Sequence, residues 1–327
     1  MIDFTINYVI NKIMKIVVVY PESNFTKEQR ERLYKLGEVA FTKNRDELSL
    51  EKLLVLTKDA NIIGIDPDPF GGFEKAKLLV TKVIESLPRL KGVCLSTTSF
   101  GWVDLDYCRK RKLPVSNIPG YSRESVAEHA LALLLCLAKK IILLDRKTRE
   151  GKYQLEMGFN LKGKTLGIIG LGNIGSRVAE LGQAVGMKVI AYNRSPKKQK
   201  GVKMVSLSEL LVNSDMISLH STHELVNNNF INEKLLSKMK DGVIIVNTVD
   251  RELVDEKAMA KAVKSGKVAS YGVEVEDLEH GPLVGLENVI MIKGFAWYTK
   301  DSMENLARIW VENIEHLAKG KPQNVVK

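Results

Sequence analysis

Residues 247–256 read NTVDRELVDE. An apolar run closes on Asn247 and Thr248, and then an acid and a base stand side by side, Asp250 and Arg251. Such a pair can hold an anionic substrate and move protons, or it can be a solvated turn. Placement by the rest of the chain decides between them. A second group is Gly170-Leu171-Gly172-Asn173-Ile174-Gly175, which follows TLGII and opens SRVAELGQAVG, with another strand pattern at KVIAY. Strand before and helix after is the context a dinucleotide-binding turn requires. The first glycine permits the tight turn, the second lets a diphosphate approach the backbone, and the third lets helix and strand pack closely. The helix N-terminus then offers free N–H groups and a favourable dipole. The alternative is a glycine-rich turn in an ordinary βαβ unit.

The choice of dinucleotide is read at the end of the next strand. An acid there bonds the ribose 2′-hydroxyl and repels a 2′-phosphate. This chain places Asn193-Arg194-Ser195 there, with Lys197 and Lys198 beyond. Asn193 removes the repulsion and Arg194 can make charge-assisted bonds to a phosphate. NADP(H) is therefore favoured, with NAD(H) possible.

The elements that position these groups alternate in type. KIVVVY (15–20), NIIGI (61–65) and GVCL (92–95) read as strands, with amphipathic helices between them. This block ends near VSNIPGY (115–121), and one long helix is expected from about Ser122 to Glu150. A second set of strands follows at TLGIIG, KVIAYN, DMISLH, GVIIVN, KVASYGVEV and NVIMI. Val- and Ile-rich runs with little alternation are the pattern of buried parallel strands. The last helix runs from Asp301 to Lys319 and stops at Gly320. Residues 1–13 stand ahead of the first strand, as an added segment or the product of an upstream start codon.

Bulk properties narrow the function. The 327 residues are 45% apolar and 27% charged, the proportions of a globular protein. The net charge of +10 comes from scattered lysines without a basic block, so no nucleic-acid partner is expected. The longest apolar run, ALALLLCLA, is too short to span a bilayer, so no membrane partner is expected. Cys94, Cys108 and Cys136 match no metal spacing, and no metal is expected. Buried free thiols and a leader-free N-terminus point to the cytoplasm.

The ordered landmarks STTSFGWVDLD, VAEHALALLL, GKTLGIIGLGNIG, SDMISLH, VIIVNT, GKVASYGVEV and FAWYT give the chain a specific resemblance to the D-2-hydroxyacid dehydrogenase family, including its glyoxylate and hydroxypyruvate reductase members. The resemblance implies an α/β protein of two Rossmann-like domains, each a doubly wound parallel sheet, with a cleft between them. Residues 1–117 and 298–327 form the expected substrate domain, and 118–297 the dinucleotide-binding domain. It implies a small-molecule substrate and a homodimer joined through the dinucleotide-binding domain. The implied reaction is hydride transfer between a nicotinamide and a 2-oxoacid or 2-hydroxyacid. The implied cofactor contacts are Gly170, Gly172, Asn173, Ile174, Gly175, Asn193, Arg194, Ser195, His220, Ser221, Thr248, Val249 and Glu274. Ser99-Phe100-Gly101 matches the loop whose backbone N–H groups receive the substrate carboxylate, and Phe100 and Trp102 are expected to line an apolar pocket. Asp66 and Asp68 of IDPDPFGGF are expected to disfavour a second anionic group.

The reaction needs a cation for the carboxylate and a proton donor for the developing alkoxide. In this family an arginine, a glutamate and a histidine fill those roles. Here the arginine position after Asn247-Thr248-Val249 holds Asp250, with Arg251 one residue late. Glu279 has the spacing of the orienting glutamate, and Glu274 replaces the usual aspartate. The histidine position is Gly294, preceded by Lys293. The altered catalytic set is therefore Arg251, Glu279, Lys293 and Asp250, with His280 and Tyr298 as other stand-ins. His129 reads as structural, and His223 and His316 as peripheral. A cofactor-sensing binding protein of weak or no activity, and a reductase of carbonyls lacking a carboxylate, are the alternatives.

Overall fold

The computed structural model describes residues 14–195, 197–221, 228–274 and 280–326. The chain divides into two compact units, one running through Tyr121 and resuming at Met303, the other covering Ser122–Ser302.

In the first unit β1 (Lys15–Pro21), β2 (Glu38–Thr42), β3 (Ile62–Ile65), β4 (Gly92–Leu95) and β5 (Val115–Ser116) form one sheet in the order β2-β1-β3-β4-β5. All its pairs are parallel. Helices α1 (Lys27–Tyr34), α2 (Leu50–Thr57), α3 (Gly72–Glu85) and α4 (Leu105–Lys110) connect the strands. Two cores result, one on each face. Val17, Ile63, Ile65 and Val93 pack with Val80, Val83 and Ile84 of α3, while Ile16, Val18 and Ile62 pack with Trp310 and Ile314 from the C-terminal helix. That is why the strands read as unbroken apolar runs rather than alternating ones.

The second unit opens with α5 (Arg123–Ala138) and α6 (Ile141–Arg149). The single helix expected from Ser122 to Glu150 is thus two. Lys140 sits in the left-handed region, with φ of 55°, and breaks the run. A non-glycine residue there costs about 1–2 kcal/mol. The break lets α6 bury Leu143 and Lys147 on a direction of its own. Strands β6 (Thr165–Ile169), β7 (Lys188–Tyr192), β8 (Val202–Met204), β9 (Met216–Leu219), β10 (Val243–Asn247), β11 (Val268–Glu274) and β12 (Val289–Ile292) form a parallel sheet in the order β12-β11-β10-β9-β6-β7-β8. Helices α7 (Asn173–Ala184), α8 (Leu207–Asn213), α9 (Glu233–Lys238) and α10 (Glu256–Lys264) are its crossovers. The chain ends with α11 (Lys300–Ala318) and a short tail in which Val326 N–H bonds Val115 O at 2.9 Å.

Candidate active site

In the second unit the strand order reverses at β6, which pairs with β7 on one side and β9 on the other. Ligands of open α/β sheets bind at such a reversal, outside the carboxyl ends of the strands. Register aligns those ends, because Ile169 pairs with both Tyr192 and Leu219. Gly170, Asn193 and His220 therefore leave the sheet as neighbours.

Gly170 turns with φ of +97°, and a Cβ on it would lie 2.5 Å from Ser221 N and 2.6 Å from His220 C. A Cβ on Gly175 would lie 2.1 Å from Gly170 O. These two glycines let the β6 turn, the β9 end and α7 touch backbone to backbone. Gly172 differs, since a Cβ there meets nothing within 4 Å. It is the N-cap of α7 and no side chain caps that helix. The first-turn amides of Asn173, Ile174 and Gly175 have no intrahelical acceptor, so they face open space beside Gly172.

Asn193 ties this turn to the next loop. Its Oδ1 accepts from Leu171 N–H at 3.0 Å and its Nδ2 donates to Ser195 O at 2.9 Å. An uncharged amide thus occupies the end of β7, with Arg194 next in the chain. At the β9 end His220 Nε2 lies 2.7 Å from Ser218 Oγ. Burial drives the His220 pKa down to about 3, so the ring is neutral. Among the described residues, buried His220 Nδ1, Ser221 Oγ and Thr248 Oγ1 have no hydrogen-bond partner. Buried polar atoms are almost always paired. Three unpaired ones on two adjacent strand ends, next to an open glycine cradle, fit a bound polar ligand with a diphosphate. A dinucleotide meets that description.

Asn247, fully buried at the end of β10, organises the opening motif. Its Oδ1 accepts from Val249 N–H at 3.0 Å and its Nδ2 donates to Asp250 O at 3.4 Å, wrapping the turn. Asp250 is exposed. Arg251 begins a 3₁₀ turn and is committed along one edge of its guanidinium. Nε and Nη2 each bond a Glu256 carboxylate oxygen, both at 2.8 Å. Glu256, in the first turn of α10, escaped the sequence reading. Its sign was an acid five residues after a base across a helix start.

Glu274, buried at the end of β11, accepts from the backbone N–H of Ala296. Burial pushes its carboxyl up, and the nearby backbone amides pull it back. Lys293, just past β12, is exposed. Glu279 and His223 lie outside the described residues. His129 sits on α5 with buried Nε2 unpaired among the described residues, and burial lowers its pKa.

In the first unit Ser99, Phe100 and Gly101 are exposed beyond β4. Trp102 is not a pocket wall, as expected from sequence, but core. It is 3% exposed, and its Nε1 donates to Ser99 O at 3.0 Å and to Thr97 Oγ1 at 3.1 Å. Burying the indole is worth more than exposing it, and the N–H is used to shape the loop. Asn117 Nδ2 donates to Thr98 O at 2.7 Å, which anchors the other side. The two acids expected to repel a second anion share one cation. Arg45 Nη2 lies 3.3 Å from Asp66 and 2.7 Å from Asp68, and Ser96 donates to Asp66 at 2.6 Å. One guanidinium offsets one of the two negative charges.

A family model described as "D-isomer specific 2-hydroxyacid dehydrogenase, NAD binding domain" matches residues 131–293. A hydroxypyruvate reductase of Blautia hydrogenotrophica is 33% identical over 306 residues, covering 89% of this chain and 92% of that one. The chain belongs to the D-2-hydroxyacid dehydrogenase family. Among solved structures, an acyclic imino acid reductase in complex with NADPH and D-Arg is similar, with a TM-score of 0.83, 30% identity and coverage of 96% of this chain and 100% of that one. D-Lactate dehydrogenase from Aquifex aeolicus, complexed with NAD and lactic acid, has a TM-score of 0.76 at 30% identity, covering 94% and 96% of the two chains. The protein is an NAD(P)-dependent oxidoreductase of the 2-hydroxyacid dehydrogenase type. Among the described residues no helix is long and apolar enough to cross a membrane, and no cluster of metal-binding side chains occurs.

Proposed function

We propose that this enzyme is an NADPH-dependent reductase of small 2-oxoacids, with a catalytic set of its own. The observation that carries the cofactor preference is the uncharged Asn193 at the end of β7, bonded on both sides and followed by Arg194. With no carboxylate there a 2′-phosphate is not repelled. The similar imino acid reductase holds NADPH, and the similar D-lactate dehydrogenase holds NAD.

The bound cofactor supplies a hydride from the nicotinamide. Gly170, Gly172, Asn173, Ile174 and Gly175 hold its diphosphate through amides and the α7 dipole. Asn193, Arg194 and Ser195 bind the adenosine ribose, and neutral His220, with Ser221, Thr248 and Val249, completes the cofactor edge. The backbone N–H groups of Ser99, Phe100 and Gly101 receive the substrate carboxylate. Lys293, adjacent to Gly294 at the family histidine position, donates the proton with Glu279 as its partner. Arg251, committed to Glu256, fixes the turn that presents Asp250. The direct test is oxidation of NADPH and of NADH by the purified protein across a panel of 2-oxoacids. Turnover with NADPH is the expected result. Tighter binding of NADH, or no turnover on any 2-oxoacid, overturns the reading.

The enzyme acts in the cytoplasm as a homodimer through its dinucleotide unit. The support for the dimer lies beyond α6, where Tyr153, Leu155 and Met157 are 92%, 84% and 91% exposed. The residues between them are tied down, Gln154 at 2.9 Å and Glu156 at 2.6 Å from Lys147 Nζ. The segment is thus held with an apolar row outward, a surface that a second copy would cover.

A further inference from the structure

We propose that Glu274 is a positioning residue whose carboxylate sets the place of the Lys293–Tyr298 turn. The inference rests on the reading above, in which this turn carries the proton donor to the reacting end of the cofactor. Glu274 ends β11 in register with Ile292, the last residue of β12. Its buried carboxylate accepts from the backbone N–H of Ala296, which is itself buried.

Three bonds within the turn are short-range. Phe295 N–H bonds Lys293 O at 2.7 Å, Tyr298 N–H bonds Phe295 O at 2.9 Å, and Trp297 Nε1 bonds Gly294 O at 2.8 Å. Such bonds fix the shape of the turn but not its location on the sheet. The bond to Glu274 supplies the location. An aspartate, the residue usual in the family, is shorter by one carbon, about 1.5 Å, and would not reach that amide from the same backbone. The extra methylene of Glu274 thus accompanies the change from histidine to Gly294 in the segment it holds. The carboxylate oxygen that holds Ala296 acts on the reaction through the turn, so its contribution is indirect.

Trp297 reports on this turn. Trp102 and Trp310 are buried, whereas Trp297 is half-buried with its indole N–H on Gly294 O. Glu274→Gln and Glu274→Asp are compared with the parent by acrylamide quenching, each also in a Trp297→Phe background. Both substitutions are expected to raise quenching, and Trp297→Phe to abolish the increase. In the 2-oxoacid assay kcat is expected to fall about tenfold to hundredfold, the effect of misplacing a catalytic group by about 1 Å. The Kd for NADPH is expected to stay within about threefold. Unchanged quenching in both variants overturns the proposal, as does raised quenching with unchanged kcat. An NADPH Kd weakened as much as kcat makes Glu274 a cofactor ligand and overturns it too. If Glu274→Gln does not fold, Glu274→Asp, which keeps the charge, decides alone. Quenching needs no turnover, so a parent inactive on every 2-oxoacid sinks the proposed function while the quenching result still judges the turn.

Discussion

Two alanines placed three residues apart in the glycine turn separate binding from folding. At Gly172 a methyl group enters open space, with nothing within 4 Å. Its backbone, at φ of −80° and ψ of −158°, is open to any L-residue. Alanine there removes unfolded-state freedom, worth about 0.4–1 kcal/mol, and loses a few tenths to about 1 kcal/mol as a poorer N-cap than glycine. The two nearly cancel, so Gly172→Ala is expected to keep its Tm. A diphosphate resting against that backbone would meet the methyl. Losing one charge-assisted bond, at about 1.5–3 kcal/mol, weakens binding by about tenfold to a hundredfold. At Gly175 the methyl would sit 2.1 Å from Gly170 O, and backbone must shift to admit it. Overpacking of that kind costs about 1–3 kcal/mol, or roughly 2–12 °C in Tm for a unit of this size. NADPH titration by nucleotide fluorescence and a thermal melt read both quantities on both variants. Gly172→Ala binding NADPH as tightly as the parent, with an equal Tm, would show that the diphosphate does not lie against this turn.

Asn193→Asp keeps an acceptor for Leu171 N–H and adds a charge, so the ratio of NADPH to NADH affinity is expected to fall at least about tenfold, near 1.4 kcal/mol. Paired titrations measure it, and an unchanged ratio refutes the role of Asn193. Arg251→Ala breaks a half-buried pair worth about 2 kcal/mol and is expected to lower Tm by roughly 4–8 °C, with kcat/KM reduced less than about tenfold. A steady Tm with activity lost would instead make Arg251 a substrate ligand. Lys140 and Lys147 hold the Glu156 carboxyl down to about 2 from its ordinary 4.5. A depressed carboxylate stabilises the fold above its unfolded pKa and loses that effect as pH falls through the folded one. Melts between pH 5 and pH 2.5 should therefore show a steeper loss in the parent than in Glu156→Gln, and parallel curves would refute the coupling. Replacing Tyr153, Leu155 and Met157 together by serine is expected to turn a dimer into a monomer in sedimentation. An assembly of unchanged mass would move the interface elsewhere.

The residues of the chain determine the fold class and the family. Central strands such as KIVVVY, TLGII and VIIVN are buried on both faces, and that burial writes itself as continuous Val and Ile. The glycine turn is equally legible, because close backbone approach tolerates no other residue at Gly170 and Gly175. Edge strands β2, β5 and β8 have no such signature, since half of each faces solvent or the strand is too short to show a pattern. The left-handed Lys140 that divides the helix after Ser122 is equally silent. A lysine carries no sign of its φ, and only packing selects it.

Side-chain partners are where local order gives out. Glu256 stands five residues after Arg251, but that spacing alone does not say that it will take the fork, and no spacing says that Arg45 will stand between Asp66 and Asp68. Trp102 looks the same in a core as at a pocket wall. Sequence fixes which groups are available and, through period and turn chemistry, which strand ends carry them. Charge pairing and burial depend on distances across the fold, between residues that a linear reading keeps apart. The tertiary structure alone therefore decides that the opening acid–base pair is split, with the acid outward and the base held.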